Sequence, residues 1–161
     1  GKDTRSKCLI YFKGMALSSI ICTFLVYHFS EYKIIMSTSN PFILGLPLES
    51  IIAHYIVPFM FIADWIFFQP KGLFKWHYIF TWLAFPFVYI LCFFTRCRCN
   101  NPSEFINVPK YPYFFLDYEC IGIRKCLFYI LMLLLIFIGI NLLIVFTDKF
   151  LAKIKSKSSK N

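Results

Sequence analysis

Two ionisable side chains inside an apolar run are the residues best suited to chemistry. The run reads IIAHYIVPFMFIADWIFFQPKG, from Ile51 to Gly72, and it contains His54 and Asp64. Because an imidazole can titrate near neutral pH, His54 could serve as a general base or as a ligand in an intramembrane cavity. Alternatively, His54 only forms a hydrogen bond between packed helices, as polar residues often do in membranes. The residue types alone leave both interpretations open.

Helical geometry separates the two ionisable residues from each other. His54 and Asp64 are ten residues apart, which places them about 80° apart around a helix and about 15 Å apart along it. A His–Asp dyad within one helix is therefore excluded, and each side chain must find partners elsewhere. We expect Asp64 to be a structural polar residue that pairs with Lys71 or Lys75, or with a backbone donor, near the cytoplasmic boundary.

Composition and periodicity define the elements that must position these residues. The chain has 161 residues, of which 59% are hydrophobic and 16% are charged, and its mean hydropathy is +0.66. Soluble domains are about 45–50% apolar and about 25% charged. No period-two alternation indicates a membrane barrel. The sequence predicts an all-α, polytopic transmembrane bundle of four spans, at about residues 15–29, 50–68, 76–94 and 126–146.

Charge predicts the organisation around that bundle. Residues 1–14 form an N-terminal segment, residues 15–148 the bundle with an outer loop at 97–124, and residues 149–161 a basic tail. Eleven Lys and Arg fall on the side of both termini and six on the other, which favours a cell-membrane protein with cytoplasmic termini. The net charge of +9 predicts membrane lipids as partners. It does not indicate nucleic acid, because no soluble basic face with stacking aromatics accompanies it.

Other polar residues give weaker signals. Cysteines 97, 99, 120 and 126 flank the outer loop; a disulfide between them is one interpretation and free thiols are the favoured one. Ser19, Thr23 and Tyr27 recur at helical spacing, and we expect such hydroxyls to bond to their own helix or a neighbour. The chain has no Gly-rich phosphate loop, HExxH or GxSxG motif, so the sequence predicts no cofactor and no metal.

The outer loop contains a segment that would be costly to leave in water. It reads NVPKYPYFFLDYECIG, in which two prolines prevent a long helix while the aromatic residues and Leu116 are apolar. We expect this segment to fold back onto the bundle as a lid on the same side of the membrane as His54.

The order of these segments resembles a known family. HYIVP, DWIFFQPKG, WLAFPFVY and YPYFFLD follow one another over roughly residues 50 to 125, with Gly122 after the last. This ordered set resembles the bacterial Pr6Pr family of six-span integral membrane proteins. That family is distantly similar to the eukaryotic androgen-induced and androgen-dependent membrane hydrolases.

The resemblance implies an activity and a set of site residues. The eukaryotic relatives are threonine hydrolases that cleave fatty-acid esters of hydroxy fatty acids, which implies a lipid-ester substrate. His54 matches the catalytic histidine and is the expected general base. The lid motif is matched by Tyr111, Pro112, Phe115 and Leu116. The nucleophilic threonine has no match, because the resemblance implies that this chain begins just before the third span; Thr23 lies on that span and is not assigned.

Two functional hypotheses follow from the sequence. In the first, the chain is a fragment of a six-span intramembrane lipid-ester hydrolase, in which His54 activates a hydroxyl nucleophile supplied by the missing N-terminal helices. In the second, it is a non-enzymatic membrane protein, either a ligand carrier or an assembly component, and His54 and Asp64 only organise packing.

Overall fold

Apolar runs rich in Leu, Ile and Phe fold into helices throughout the part of the chain that the structure describes. The computed structural model describes residues 2–37, 51–99 and 113–158, and within these ranges it contains helices and no strand. The all-α prediction is confirmed. The helices are α1 (Lys2–Ser37), α2 (Ile52–Phe68), α3 (Tyr78–Thr81), α4 (Ala84–Cys99), α5 (Tyr118–Ile121) and α6 (Ile123–Ser158).

Three stretches of these helices are long and apolar enough to cross a membrane: Lys7–Phe29, Tyr78–Thr95 and Ile123–Lys157. The predicted span at residues 50–68 forms the shorter α2. This helix ends at Phe68 because Gln69 adopts extended backbone (φ −93°, ψ 143°) immediately before Pro70. At about 1.5 Å per residue, α2 is about 25 Å long, somewhat less than the bilayer core of about 30 Å.

The helices also extend beyond the predicted runs. Helix α1 begins at Lys2, within the predicted N-terminal segment, and α6 continues through the basic residues to Ser158. The third run was expected to begin at Trp76, but its helix begins at Tyr78 and is interrupted at residues 82 and 83 before α4 starts. Pro86 lies in the first turn of α4, where a missing backbone N–H costs nothing.

The Trp82 ring forms the centre of the packing at this interruption. It is 0% exposed and contacts the rings of Tyr78 and Phe74. Its indole Nε1 donates to the Tyr11 carbonyl at 3.1 Å, and the Tyr11 hydroxyl donates to the Thr81 carbonyl at 3.1 Å. These reciprocal bonds fix the register of α1 against α3, and the Thr81 carbonyl is one that the end of α3 leaves available.

Asn141 connects three helices. Its side chain lies on α6, is 0% exposed, and donates through Nδ2 to the Ile79 carbonyl of α3 at 2.8 Å. Its Oδ1 accepts a hydrogen bond from the hydroxyl of Ser18 on α1. A buried amide is stabilising only when its polar atoms are paired, so these bonds fix the positions of α1, α3 and α6 relative to one another.

Asp148 anchors the connection between α2 and α3 to α6. The carboxylate is 1% exposed and accepts a hydrogen bond from the backbone N–H of Phe74 at 3.0 Å. In the same connection Gly72 has φ +82°, a left-handed conformation that favours glycine, and a Cβ there would lie 3.0 Å from the Cβ of Ala152. The connection is therefore held against α6 rather than extending away from it.

Gly14 and Gly139 provide a matched test of this packing. A Cβ on Gly14 would overlap the ring of the fully buried Trp82, whereas a Cβ on Gly139 meets nothing within 4 Å. We expect Gly14→Ala to lower the free energy of unfolding by about 1–3 kcal/mol through overpacking. Gly139→Ala should be neutral or stabilising by up to about 1 kcal/mol. Reversible unfolding in mixed detergent micelles measures both, and a Gly14→Ala protein as stable as Gly139→Ala would contradict this packing.

Candidate functional site

His54 lies in a distorted turn of α2 whose cause is visible in the sequence. Residues Ile52–Ile56 form a π-helical turn, and the Val57 N–H bonds to the Ile52 carbonyl, five residues back. Pro58 has no N–H, so it cannot donate to the carbonyl of His54, which lies four residues before it. π-Helical turns often occur at functional sites. A proline four residues after the histidine is the sequence signal that could have predicted this turn.

The His54 ring packs face to face against Tyr27. The two ring centroids are 3.9 Å apart and the planes differ by 11°, and both side chains are half-buried. Tyr27 is the third member of the hydroxyl row on α1. The other two members, Ser19 and Thr23, donate to the carbonyls of Met15 and Ser19 at 2.8 and 3.0 Å, which confirms that these hydroxyls bond to their own helix.

A second histidine–tyrosine pair lies beside the first. The Nδ1 of His28 is 3.2 Å from the hydroxyl of Tyr55, so the dipeptide Tyr27–His28 of α1 meets the dipeptide His54–Tyr55 of α2 reciprocally. Phe24 packs edge-on against Tyr55, with the centroids 5.5 Å apart. Sequence reasoning missed His28, because its pairing depends on the relative rotation of two helices. Tyr27, His28, His54 and Tyr55 are called the His–Tyr cluster below.

Two apolar cavities, both partly open at the surface, are lined by side chains of α1 and α6. The larger, about 440 Å³, is bounded by Leu25, Val26 and Phe29 of α1 and by residues 128–136 of α6. The smaller, about 290 Å³, extends from Ser19, Cys22 and Thr23 to residues 85–90 of α4. Three side chains line both cavities: Val26, Phe115 and Leu133. His54 lines neither of them, so the sequence-predicted base and these cavities are distinct features.

The expected lid motif is only partly described. Tyr111 and Pro112 lie outside the described residues. Leu116 is 2% exposed, and its carbonyl lies 3.9 Å from the Sγ of Cys126 on α6. The Phe115 ring lies 6.3 Å from that of Tyr129 and forms part of the wall of both cavities. The described part of this segment, residues 113–117, therefore packs against α6 and lines the cavities.

Asp64 has a local partner. It is exposed and accepts a hydrogen bond from Nε2 of Gln69. The Lys71 ammonium, one of its expected partners, instead donates to the carbonyls of Trp65 and Gln69 and lies 5.0 Å from the Trp65 ring. Desolvation lowers the pKa of Lys71, while attraction to the Asp148 and Asp64 carboxylates opposes this shift. His54 and Asp64 thus act in separate surroundings, as the helical spacing requires.

The cysteines provide no cross-link among the described residues. Cys120 is an exposed free thiol and Cys126 is a buried one, while the side chains of Cys97 and Cys99 are outside the described part of the structure. Over residues 2–37, 51–99 and 113–158, no three or more His, Cys, Asp or Glu side chains cluster as a metal site would require.

The fold and the site together indicate the class of protein, but they do not indicate an activity. The described residues form an all-helical arrangement in which three long apolar helices indicate a multi-pass membrane protein. Comparison of the chain with protein-family models, with curated proteins and with solved structures finds no match.

The bond between His28 and Tyr55 can be tested by a double-mutant cycle. Tyr55→Phe removes the hydroxyl and keeps the ring against Phe24. We expect a coupling free energy with His28→Leu of about 0.6–1.7 kcal/mol, the range of hydrogen bonds between membrane helices. Unfolding in mixed micelles measures each variant. The cycle between Tyr89→Phe and His28→Leu is the control, since Tyr89 lies on α4 and lines the smaller cavity. Equal coupling in both cycles would contradict the bond.

Proposed function

We propose that this protein is an integral membrane hydrolase of lipid esters, related to the Pr6Pr family, with His54 as its general base. The observation that carries the proposal is the placement of His54. Its ring is half-buried in an apolar helix, in a π-helical turn before Pro58, and it contacts a tyrosine of the neighbouring helix. Ionisable side chains inside membrane-spanning helices are costly and rare, so such residues usually have a function.

The proposed chemistry is acyl transfer. The neutral imidazole of His54 removes the proton from a hydroxyl nucleophile, whose oxygen attacks the ester carbonyl. The alcohol leaves with the proton from the imidazolium, and a water molecule activated by the same base then releases the acid. The hydroxyls of Ser19 and Thr23 are donated to backbone carbonyls, so neither is assigned as nucleophile and labelling must locate it.

We propose that the chain crosses the membrane four times, once through each of the three long apolar stretches and once through α2. Both ends of the chain then lie on the cytoplasmic side. The lysines of the α6 end, with Lys71 and Lys75, would then face the cytoplasm. Helix α2 is short enough to cross only with little tilt or with local thinning of the bilayer. This orientation places the His–Tyr cluster in the outer half of the bilayer and Asp64 in the cytoplasmic half.

The face-to-face contact with Tyr27 also supports a second candidate function. Aromatic stacking covers one face of the imidazole, as it would for a residue that only packs helices together. In that case the protein is a non-enzymatic assembly component or ligand carrier of the membrane, and the His–Tyr cluster holds α1 against α2.

A fluorophosphonate probe on the full-length protein in the membrane, with the N-terminal helices that the resemblance implies, distinguishes these two functions. We expect covalent labelling of the wild-type protein, and His54→Ala should reduce the labelling rate by at least about a hundredfold, the lower range of general-base contributions. His77→Ala is the matched control, since His77 is exposed just before α3. Absence of labelling, or equal labelling of the His54→Ala and His77→Ala proteins, would exclude the hydrolase.

Cysteine accessibility tests the proposed orientation. Cys8, near the start of α1, and Cys120, on α5, are both exposed. In single-cysteine variants, a membrane-impermeant maleimide applied to intact cells should label Cys120 and not Cys8. Permeabilised cells should label both and provide the control. Labelling of Cys8 in intact cells would reverse the orientation.

A further inference from the structure

The two cavities form an adjacent pair, which the hydrolase proposal does not use. They meet at a wall made by Val26, Phe115 and Leu133, since these side chains line both cavities. Their volumes of about 440 and 290 Å³ together fall in the range of ligand-binding sites in proteins, about 300–1,000 Å³. A ligand that fills both cavities must therefore be branched, with one chain on each side of this wall.

The lining of the pair specifies a hydrocarbon occupant. The larger cavity is bounded by aliphatic and aromatic side chains, with Tyr129 as its one hydroxyl-bearing residue. In the smaller one, Ser19 and Thr23 donate their hydroxyls to the backbone of α1, and Tyr89 and Tyr113 are the other hydroxyl-bearing residues of a mainly apolar lining. Because the cavities lie between apolar helices, a hydrocarbon chain is stabilised there by burial and by packing contacts.

Basic residues lie where the polar end of such a ligand would be. Arg124 and Lys125 are exposed in the first turn of α6, four residues before Phe128 and Tyr129 of the larger cavity. Residues four apart share a helix face, so this basic pair lies one turn beyond the cavity on the same side. The Asp117 carboxylate nearby along the chain caps α5 through the Cys120 N–H at 3.0 Å. The basic pair thus complements a negatively charged group.

We propose that the cavity pair is a binding site for one membrane phospholipid. One acyl chain occupies the larger cavity and the other the smaller, on the two sides of the wall. The phosphodiester lies against Arg124 and Lys125. A single-chain fatty acid leaves one cavity empty, and a neutral two-chain lipid leaves the basic pair without a counter-charge.

Photolabelling of the purified full chain in detergent micelles tests the site. The probes are phosphatidylglycerol and diacylglycerol, each with a diazirine in one acyl chain, and unlabelled lysophosphatidylglycerol serves as competitor. We expect phosphatidylglycerol to label peptides of α1 and α6. Labelling should exceed that by diacylglycerol several-fold, and lysophosphatidylglycerol should compete weakly. Equal labelling by the two diazirine lipids, or competition by the lysolipid equal to that by unlabelled phosphatidylglycerol, would overturn the assignment.

Cavity-filling variants locate the binding. Leu133→Trp enters both cavities and should reduce labelling by phosphatidylglycerol more than about tenfold, because several methylene groups lose their place. The control Leu143→Trp lies on the same helix, is 67% exposed and lines neither cavity, and should label as the wild type does. Equal labelling of the two variants would exclude the cavities as the site.

A second set of variants keeps the test decisive if Leu133→Trp does not fold. Ile136→Trp enters only the larger cavity and is 45% exposed before substitution. This variant should no longer bind phosphatidylglycerol but should still bind lysophosphatidylglycerol. Binding of both lipids would overturn the two-chain arrangement.

The double variant Arg124→Gln, Lys125→Gln should bind phosphatidylglycerol several-fold more weakly and diacylglycerol as the wild type does. An unchanged preference for phosphatidylglycerol over diacylglycerol would show that the basic pair is not part of the site. His54→Ala should bind as the wild type does, so failure of the hydrolase proposal and failure of this one are distinguishable.

Discussion

The hydrogen bonds of Asn141 constrain the rest of the bundle. In a bilayer, a side-chain amide has no water to bond with, so its partners must be protein groups in fixed positions. Asn141 finds them in the Ser18 hydroxyl and the Ile79 carbonyl, which lie on two other helices. Any rotation of α1 or α3 about its own axis would leave one of these groups unpaired. Apolar packing tolerates such rotations much better, since hydrocarbon contacts are not directional.

The two halves of the bundle are built differently. Near Trp82, helices approach closely because Gly14 has no side chain, and indole and tyrosine polar atoms are paired with backbone carbonyls. Toward the start of α6, side chains of α1 and α6 line two cavities, and Phe115 contributes to the lining of both. The tight half fixes the register of the helices, and the open half leaves room for hydrocarbon. This division allows a ligand to enter without disturbing the contacts that hold the bundle together.

Both ionisable residues of α2 lie in turns where the helix geometry is irregular. Pro58 cannot donate to the His54 carbonyl, and the resulting π-helical turn carries both His54 and Tyr55 toward α1. A second π-helical turn, Asp64–Phe68, begins at the other ionisable residue of this helix. A regular helix would place these side chains on different faces from those observed. The distortion thus brings two histidines and two tyrosines into one cluster that packs α1 against α2.

The sequence alone determined the properties that depend on composition and on spacing along one helix. Apolar runs of about 20 residues must be helical in lipid, hydroxyls at intervals of four residues return to their own backbone, and His54 and Asp64 cannot meet. The tertiary structure decided which helices face each other: that His28 reaches Tyr55, that Asn141 pairs with Ser18, and that Asp148 holds the Phe74 N–H. It also placed the cavities against Phe115 and away from His54. The reason is that periodicity defines a face of one helix, whereas a site requires the rotation and translation of several helices, which their packing sets jointly.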